Sequence, residues 1–251
     1  MEYLSDTTFL LALATVALAG LVHGALGLGF PMVATPVLAL ATDVRTAILL
    51  TLLPTIASNI GSLLSDKAWR EVLRRFWPMA LATVAGSVIG TQVILNTDPE
   101  PYRLLLAAIT IAYLSMDWLR GAVVQPRWRP TVPLMVGTGA VAGLLAGLVN
   151  VMAPVLIVFT LETGMAASLM VSVFNINFLF SKAAQLATFA ADGAIVLELL
   201  ITVAPLVLVA LVTLSVGIRI RRRTDVDRYR RWLKGALWVI SFLLIGQHFA
   251  G

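Results

Sequence analysis

Cysteine is absent from this 251-residue chain, and charged residues are scarce, at 12%. Without a thiol there can be no disulfide framework, no metal–thiolate centre and no cysteine nucleophile. Histidine occurs only at positions 23 and 248, and neither HExxH nor GxSxG is present, so the familiar metallopeptidase and serine-hydrolase patterns are missing too. Strand-type alternation is lacking, which argues against a membrane barrel. Soluble domains are roughly half apolar and about a quarter charged. Here 59% of residues are hydrophobic and the mean hydropathy is +0.94. The expected fold class is therefore an all-α polytopic membrane protein.

What the chain does have is long apolar sequence. Charge-free runs cover residues 7–42, 46–65, 76–97, 130–161, 163–181 and 199–218, and ~20 apolar residues suffice for one helical crossing. Glu2 and Asp6, with no Lys or Arg, precede the first run. A signal peptide carries a basic n-region, so this run is read as the first helix of the mature protein. The sequence pI of about 10.1 reflects basic loops rather than nucleic-acid binding.

The chain also repeats itself. AGLVHGALGLGFPMV (19–33) aligns without a gap on AGLLAGLVNVMAPVL (142–156), pairing Gly20 with Gly143, Gly24 with Gly147 and Pro31 with Pro154. The same offset pairs Ser58 with Ser181 and Asn59 with Lys182. Further on, TDPEPYR (97–103) matches TDVDRYR (224–230). The expectation is two halves, 1–125 and 126–251, forming one membrane domain. Each half reads as five helical segments: about 8–28, 31–41, 44–65, 72–95 and 101–121, then about 131–150, 154–162, 164–190, 194–218 and 227–249.

Fifteen of the 18 Lys and Arg fall in three loops, between the third and fourth segments, between the halves, and at the fourth-to-fifth junction of the second half. Placed in the cytoplasm, these satisfy the positive-inside rule and leave Arg45 and Arg103 outside, with Lys182 in the membrane. Equivalent loops then face opposite ways, so the halves are expected to be inverted repeats with both termini outside. That is a common build for secondary transporters, with the site at mid-depth between the repeats.

Pro31 and Pro154 each follow a cluster of Gly or Asn, and proline suits a helix's first turn. The second segments are about ten residues long, half a bilayer, which predicts a broken hairpin opening each half. The N–H groups of such half-helices favour an anion. The backbone around Gly29, Phe30 and Pro31, and around Asn150, Met152 and Pro154, is the candidate source. On the third segments, Asn175, Ser181, Lys182 and Gln185 share one arc, and Thr51, Thr55, Ser58, Asn59 and Ser62 share another. Such stripes should face the bundle interior. No carboxylate stands one turn from Lys182, which leaves a substrate anion as its expected partner. His23 is the candidate for proton coupling, with a structural hydrogen bond as the alternative.

GALGLGFPMVATPVLAL (24–40), followed by TAILLTLLPTIASNIGSL (46–63), resembles the glycine-rich signature of the sulfite exporter TauE/SafE family, TSUP-type membrane permeases. Gly27, Gly29, Pro36, Leu38 and Ala47 occupy the signature positions. The resemblance implies a permease of sulfite or organosulfonates in a bacterial-type inner membrane, with export the expected direction. Lys182 would neutralise the anion, and Ser58, Asn59, Asn175, Ser181 and Gln185 would donate or orient hydrogen bonds. The implied partners are the anion, the lipid bilayer, protons as coupling ion and a second copy of the chain; no cofactor, metal or nucleic acid is implied. An anion channel and an intramembrane enzyme are the alternatives.

Overall fold

The computed structural model describes residues 5–65, 68–119 and 128–221, together with 238, 242, 245 and 246. Its elements are α1 (Asp6–Leu26), α2 (Phe30–Ala41), α3 (Val44–Ser65), α4 (Trp69–Asn96), α5 (Pro101–Leu119), α6 (Val132–Val149), α7 (Ala153–Glu162), α8 (Ala167–Ala191) and α9 (Leu197–Arg221). The described residues contain no strand, as the sequence led us to expect. Six of the helices are long and apolar enough to cross a membrane. The expected segment at 227–249 and the basic cluster at 222–234 lie outside the described residues, apart from the isolated positions named above. So do His248 and the side chain of Asp117.

Local chemistry sets the helix limits. The Ser5 hydroxyl accepts from the Thr8 N–H at α1, and Asp43 takes the Thr46 N–H at α3; both satisfy donors that a helix start leaves free. α1 closes at Gly27, in the left-handed region (φ 78), and α6 closes at Asn150 (φ 62) in the same way. Asn is the side-chain-bearing residue that most readily adopts this conformation. α2 and α7 then start with proline in the first turn. α2 and α7 begin 123 residues apart, as do α3 and α8 and the two left-handed caps, which is the offset of the sequence repeat. α4 starts three residues earlier than its hydropathy indicates. It runs through a distorted residue, Phe76 (φ −113, ψ 19), two before Pro78. Proline removes one helical hydrogen bond and crowds the preceding turn, which accounts for the kink.

Packing crosses between the halves. α4 makes its most extensive contact with α6 and then with α8, while α1 packs mainly on α9. Glycines permit both. A Cβ on Gly143 would sit 2.1 Å from Thr83 O, and one on Gly86 would sit 2.2 Å from Ala140 O. In the second seam a Cβ on Gly24 would meet Leu214 O at 2.2 Å, and one on Gly217 would meet Leu21 O at 2.3 Å. These are backbone-to-backbone contacts, the small-residue packing of membrane helices, and they account for the glycine spacing in α1 and α6. Outward, α9 exposes Leu197, Ile201, Leu208 and Val212, an apolar stripe at helical spacing suited to lipid.

The two arginines that stood outside the positive-inside pattern have structural partners. Arg45 donates to the carbonyls of Ile94, Leu95 and Thr97 at the end of α4. Arg103 donates to the carbonyl of Thr42, just after α2, and pairs with Glu100. A guanidinium at a helix C-terminus meets unsatisfied carbonyls and the negative end of the dipole.

Candidate functional site

The polar groups of the interior gather at the two helix breaks. At the first, between α1 and α2, the Phe30 N–H points at His23 Nδ1 (3.4 Å). Nδ1 is thus the acceptor, so Nε2 carries the proton and donates to Asn175 Oδ1 on α8 (3.1 Å). Asn175 Nδ2 in turn donates to Gly27 O at 2.9 Å and to Val171 O at 2.8 Å. Every side-chain atom here that can bond has a partner. Through these bonds His23 and Asn175 tie the first break to α8. Gly29, Phe30 and Pro31 are buried beside it.

The second break, between α6 and α7, is built differently. The residue equivalent to His23 under the repeat is Ala146, and no side chain caps the N-terminus of α7. Asn150 reaches across to the first half, with Nδ2 donating to Thr35 Oγ1 (2.7 Å) and Thr51 Oγ1 (3.0 Å). From α8, Lys182 Nζ donates to Gln185 Oε1 and approaches Ala146 O at 3.5 Å. Gln185 Nε2 donates to Gly147 O at 3.1 Å. The buried ammonium thus has acceptors within the chain, at the carbonyl end of α6 where the helix dipole favours a cation. Its partner was not legible as a carboxylate because it is a backbone oxygen and a neutral amide. Met152 is buried at the turn and Pro154 is partly exposed.

α8 relates the two breaks. Asn175 touches the first and Lys182 the second, seven residues or about 10 Å of helix apart. Both lie near the middle of Ala167–Ala191. Hence the two breaks sit at neighbouring depths in the centre of the bundle. Asn150, Ser58, Asn59, Lys182 and Gln185 are all fully buried.

Buried polar atoms without a partner include Ser58 Oγ and Asn59 Oδ1 on α3, Thr91 Oγ1 on α4 and Asn150 Oδ1 at the second break. Buried polar groups are ordinarily matched, so each exception calls for a reason, and the one at the second break stands where an occupant can supply it. Ser181 is not among them, because its hydroxyl donates to Ser87 Oγ on α4 and its carbonyl accepts from the same residue. Asn177, outside the arc of the α8 stripe, is held by Thr83 (2.8 Å).

Two contributors escaped the sequence reading. Thr35 on α2 carried no signal beyond being a threonine. The row Thr83, Ser87 and Thr91 on α4 did carry one: four-residue spacing on one face of an apolar helix. The sequence reading looked for polar stripes on the third segments only and passed over it.

Comparison with curated proteins finds no match, and neither does comparison with solved structures. A family model does match. Residues 12–244, nearly the whole chain, fit the model described as Sulfite exporter TauE/SafE. The described residues agree with a membrane permease in having an all-helical build, six candidate spans and a polar interior that includes fully buried Lys182, Asn59, Asn150 and Gln185. The chain belongs to the sulfite exporter TauE/SafE family of membrane transporters.

Proposed function

We propose that the protein is a secondary transporter that exports small sulfur-containing oxyanions, sulfite or organosulfonates, by alternating access around a mid-depth site between the two helix breaks. The observation that carries this reading is the second break, where the fully buried Lys182, a helix N-terminus with no side-chain cap and the partnerless Asn150 Oδ1 belong to one short stretch of structure. The ammonium and the N-terminus favour an anion, and family membership supplies the anion class. The halves act as inverted repeats in a bacterial-type inner membrane, with both termini outside. His23 is the coupling residue for protons. A proton on Nδ1 would set one N–H against another at Phe30 and loosen the first break.

The test is a thermal-shift panel on detergent-purified full-length protein with sulfite, several sulfonates, sulfate, acetate and chloride at matched ionic strength. Counterflow in proteoliposomes with whichever anion binds completes it. A ligand at 100 times its dissociation constant stabilises by ~2.7 kcal/mol, a readable shift. Selective stabilisation by sulfite or a sulfonate, followed by counterflow, is the expected result. Well-folded protein that responds to no sulfur oxyanion would overturn the proposal.

A further inference from the structure

The two breaks differ in how completely their polar groups are matched, and the difference specifies the chemistry of the occupant. At the first, His23, Asn175, the Gly27 carbonyl and the Phe30 N–H serve one another. At the second, Asn150 is only half used. The Thr51 hydroxyl donates to Ala47 O (2.8 Å), so it can only accept from Asn150. That fixes the nitrogen end of the amide and leaves Oδ1 as a buried acceptor with no donor. Asn59 repeats the pattern on the same face of α3, two turns beyond Thr51. Its Nδ2 donates to Thr55 O (2.9 Å), and its Oδ1 is buried and unmatched.

The hydroxyls of Ser58 and Thr91 can turn to donate or accept. An amide oxygen only accepts. A fully deprotonated, donor-free oxyanion at the second break would set its own lone pairs against Asn150 Oδ1 and leave it unsatisfied, with the full desolvation penalty still in force. The ammonium of Lys182 stands beside this break, since it and the Asn150 N–H both address the carbonyl of Ala146.

We infer that the site takes an oxyanion carrying its own hydrogen-bond donor, such as hydrogen sulfite or a hydroxy- or amino-alkylsulfonate, its negative end toward Lys182 and α7 and its donor on Asn150 Oδ1. This rests on the anion-transport reading above and narrows it. It also makes the second break the binding side.

The experiment compares three sulfonates of one length: ethanesulfonate, 2-hydroxyethanesulfonate and 2-aminoethanesulfonate. Binding to the full-length protein is measured by thermal shift and calorimetry, once with sodium and once with choline as counter-cation. At least one donor-bearing member should bind about tenfold or more tightly than ethanesulfonate, the scale expected when a buried acceptor gains a partner. Sulfite should bind more tightly at a pH where hydrogen sulfite prevails than where the dianion does. Asn150→Gly should keep the protein folded, because glycine is at ease in the left-handed conformation, and it should erase the preference for the donor.

Equal affinity for ethanesulfonate and both donor-bearing analogues overturns the inference and leaves the transport reading intact. A shift produced by sodium alone, with no sulfonate present, overturns it by giving the free oxygens to a cation. Failure of every sulfonate and of sulfite to bind removes both readings together.

Discussion

Replacing Gly143 by alanine tests the packing on which the site depends. The added Cβ would lie 2.1 Å from Thr83 O, 2.8 Å from Thr83 C and 2.9 Å from Ser87 N. All three are backbone atoms, so no rotamer change relieves the contact. Bringing the oxygen to an ordinary separation requires α4 and α6 to part by roughly an ångström. The shift falls where Thr83 holds Asn177 at 2.8 Å and Ser87 holds the Ser181 carbonyl at 2.9 Å. Over-packing of this kind costs about 1–3 kcal/mol, on the order of 2–4 °C of melting temperature per kcal/mol for a chain this long. Gly137 lies on the same helix with nothing within 4 Å of its Cβ position. Gly137→Ala should therefore be neutral or gain up to ~1 kcal/mol from helix propensity. Melting curves of both variants in one detergent provide the comparison. If Gly143→Ala melts with the wild type, or the two substitutions cost the same, the close approach of α4 to α6 is wrong.

Three further outcomes follow from named contacts. Lys182→Gln removes the charge and keeps an N–H donor, one bond shorter in reach, on the side of Gln185 Oε1, so the melting temperature should change little. Anion affinity should fall roughly 10- to 100-fold, the worth of a hydrogen bond to a charged group, and an unchanged dissociation constant would make the lysine purely structural. Arg45→Ala strips the α4 carbonyls of their guanidinium and should destabilise by about 1.5–3 kcal/mol, read by thermal melting; no loss would mean that water replaces it. Asn175→Leu leaves the His23 Nε2–H and the Gly27 carbonyl buried without partners. A double-mutant cycle with His23→Phe should give a coupling of about 0.5–3 kcal/mol, and additivity would disprove the bridge.

The sequence was most informative where backbone conformation depends on residue type. Gly27, Asn150, Pro31 and Pro154 marked both breaks because left-handed caps and proline-led helix starts favour those residues. The polar arcs of α3 and α8 were legible for the same reason that stripes face inward in any membrane bundle. Partners were less legible. The Ala146 carbonyl that receives Lys182 and the α4 carbonyls that receive Arg45 belong to the backbone, which carries no residue signature. Nor could a periodicity argument reveal that Ser181 is occupied by Ser87, since those residues meet only through the packing of α4 against α8.

That packing also bears on how the site could open. The backbone contacts at Gly143 and Gly86 tie α4 to α6, and those at Gly24 and Gly217 tie α9 to α1. Motion that separated either pair would have to break a row of close contacts at once, whereas motion that preserves them carries α4 with α6 and α8, and α9 with α1 and the α2 and α3 packed on it. The natural seam then runs between those two groups rather than at the middle of the chain. The hydrogen bonds of Asn175 to His23 and Gly27, and of Asn150 to Thr35 and Thr51, all cross it at the breaks, and Arg45 crosses it at the end of α4. A ligand that supplies the donor missing at Asn150 would change the balance of contacts on this seam directly. Differential interaction of that kind is what a ligand needs to shift a conformational equilibrium. The unmatched oxygen of Asn150 therefore lies where occupancy and opening can be coupled, which a matched, silent core could not achieve.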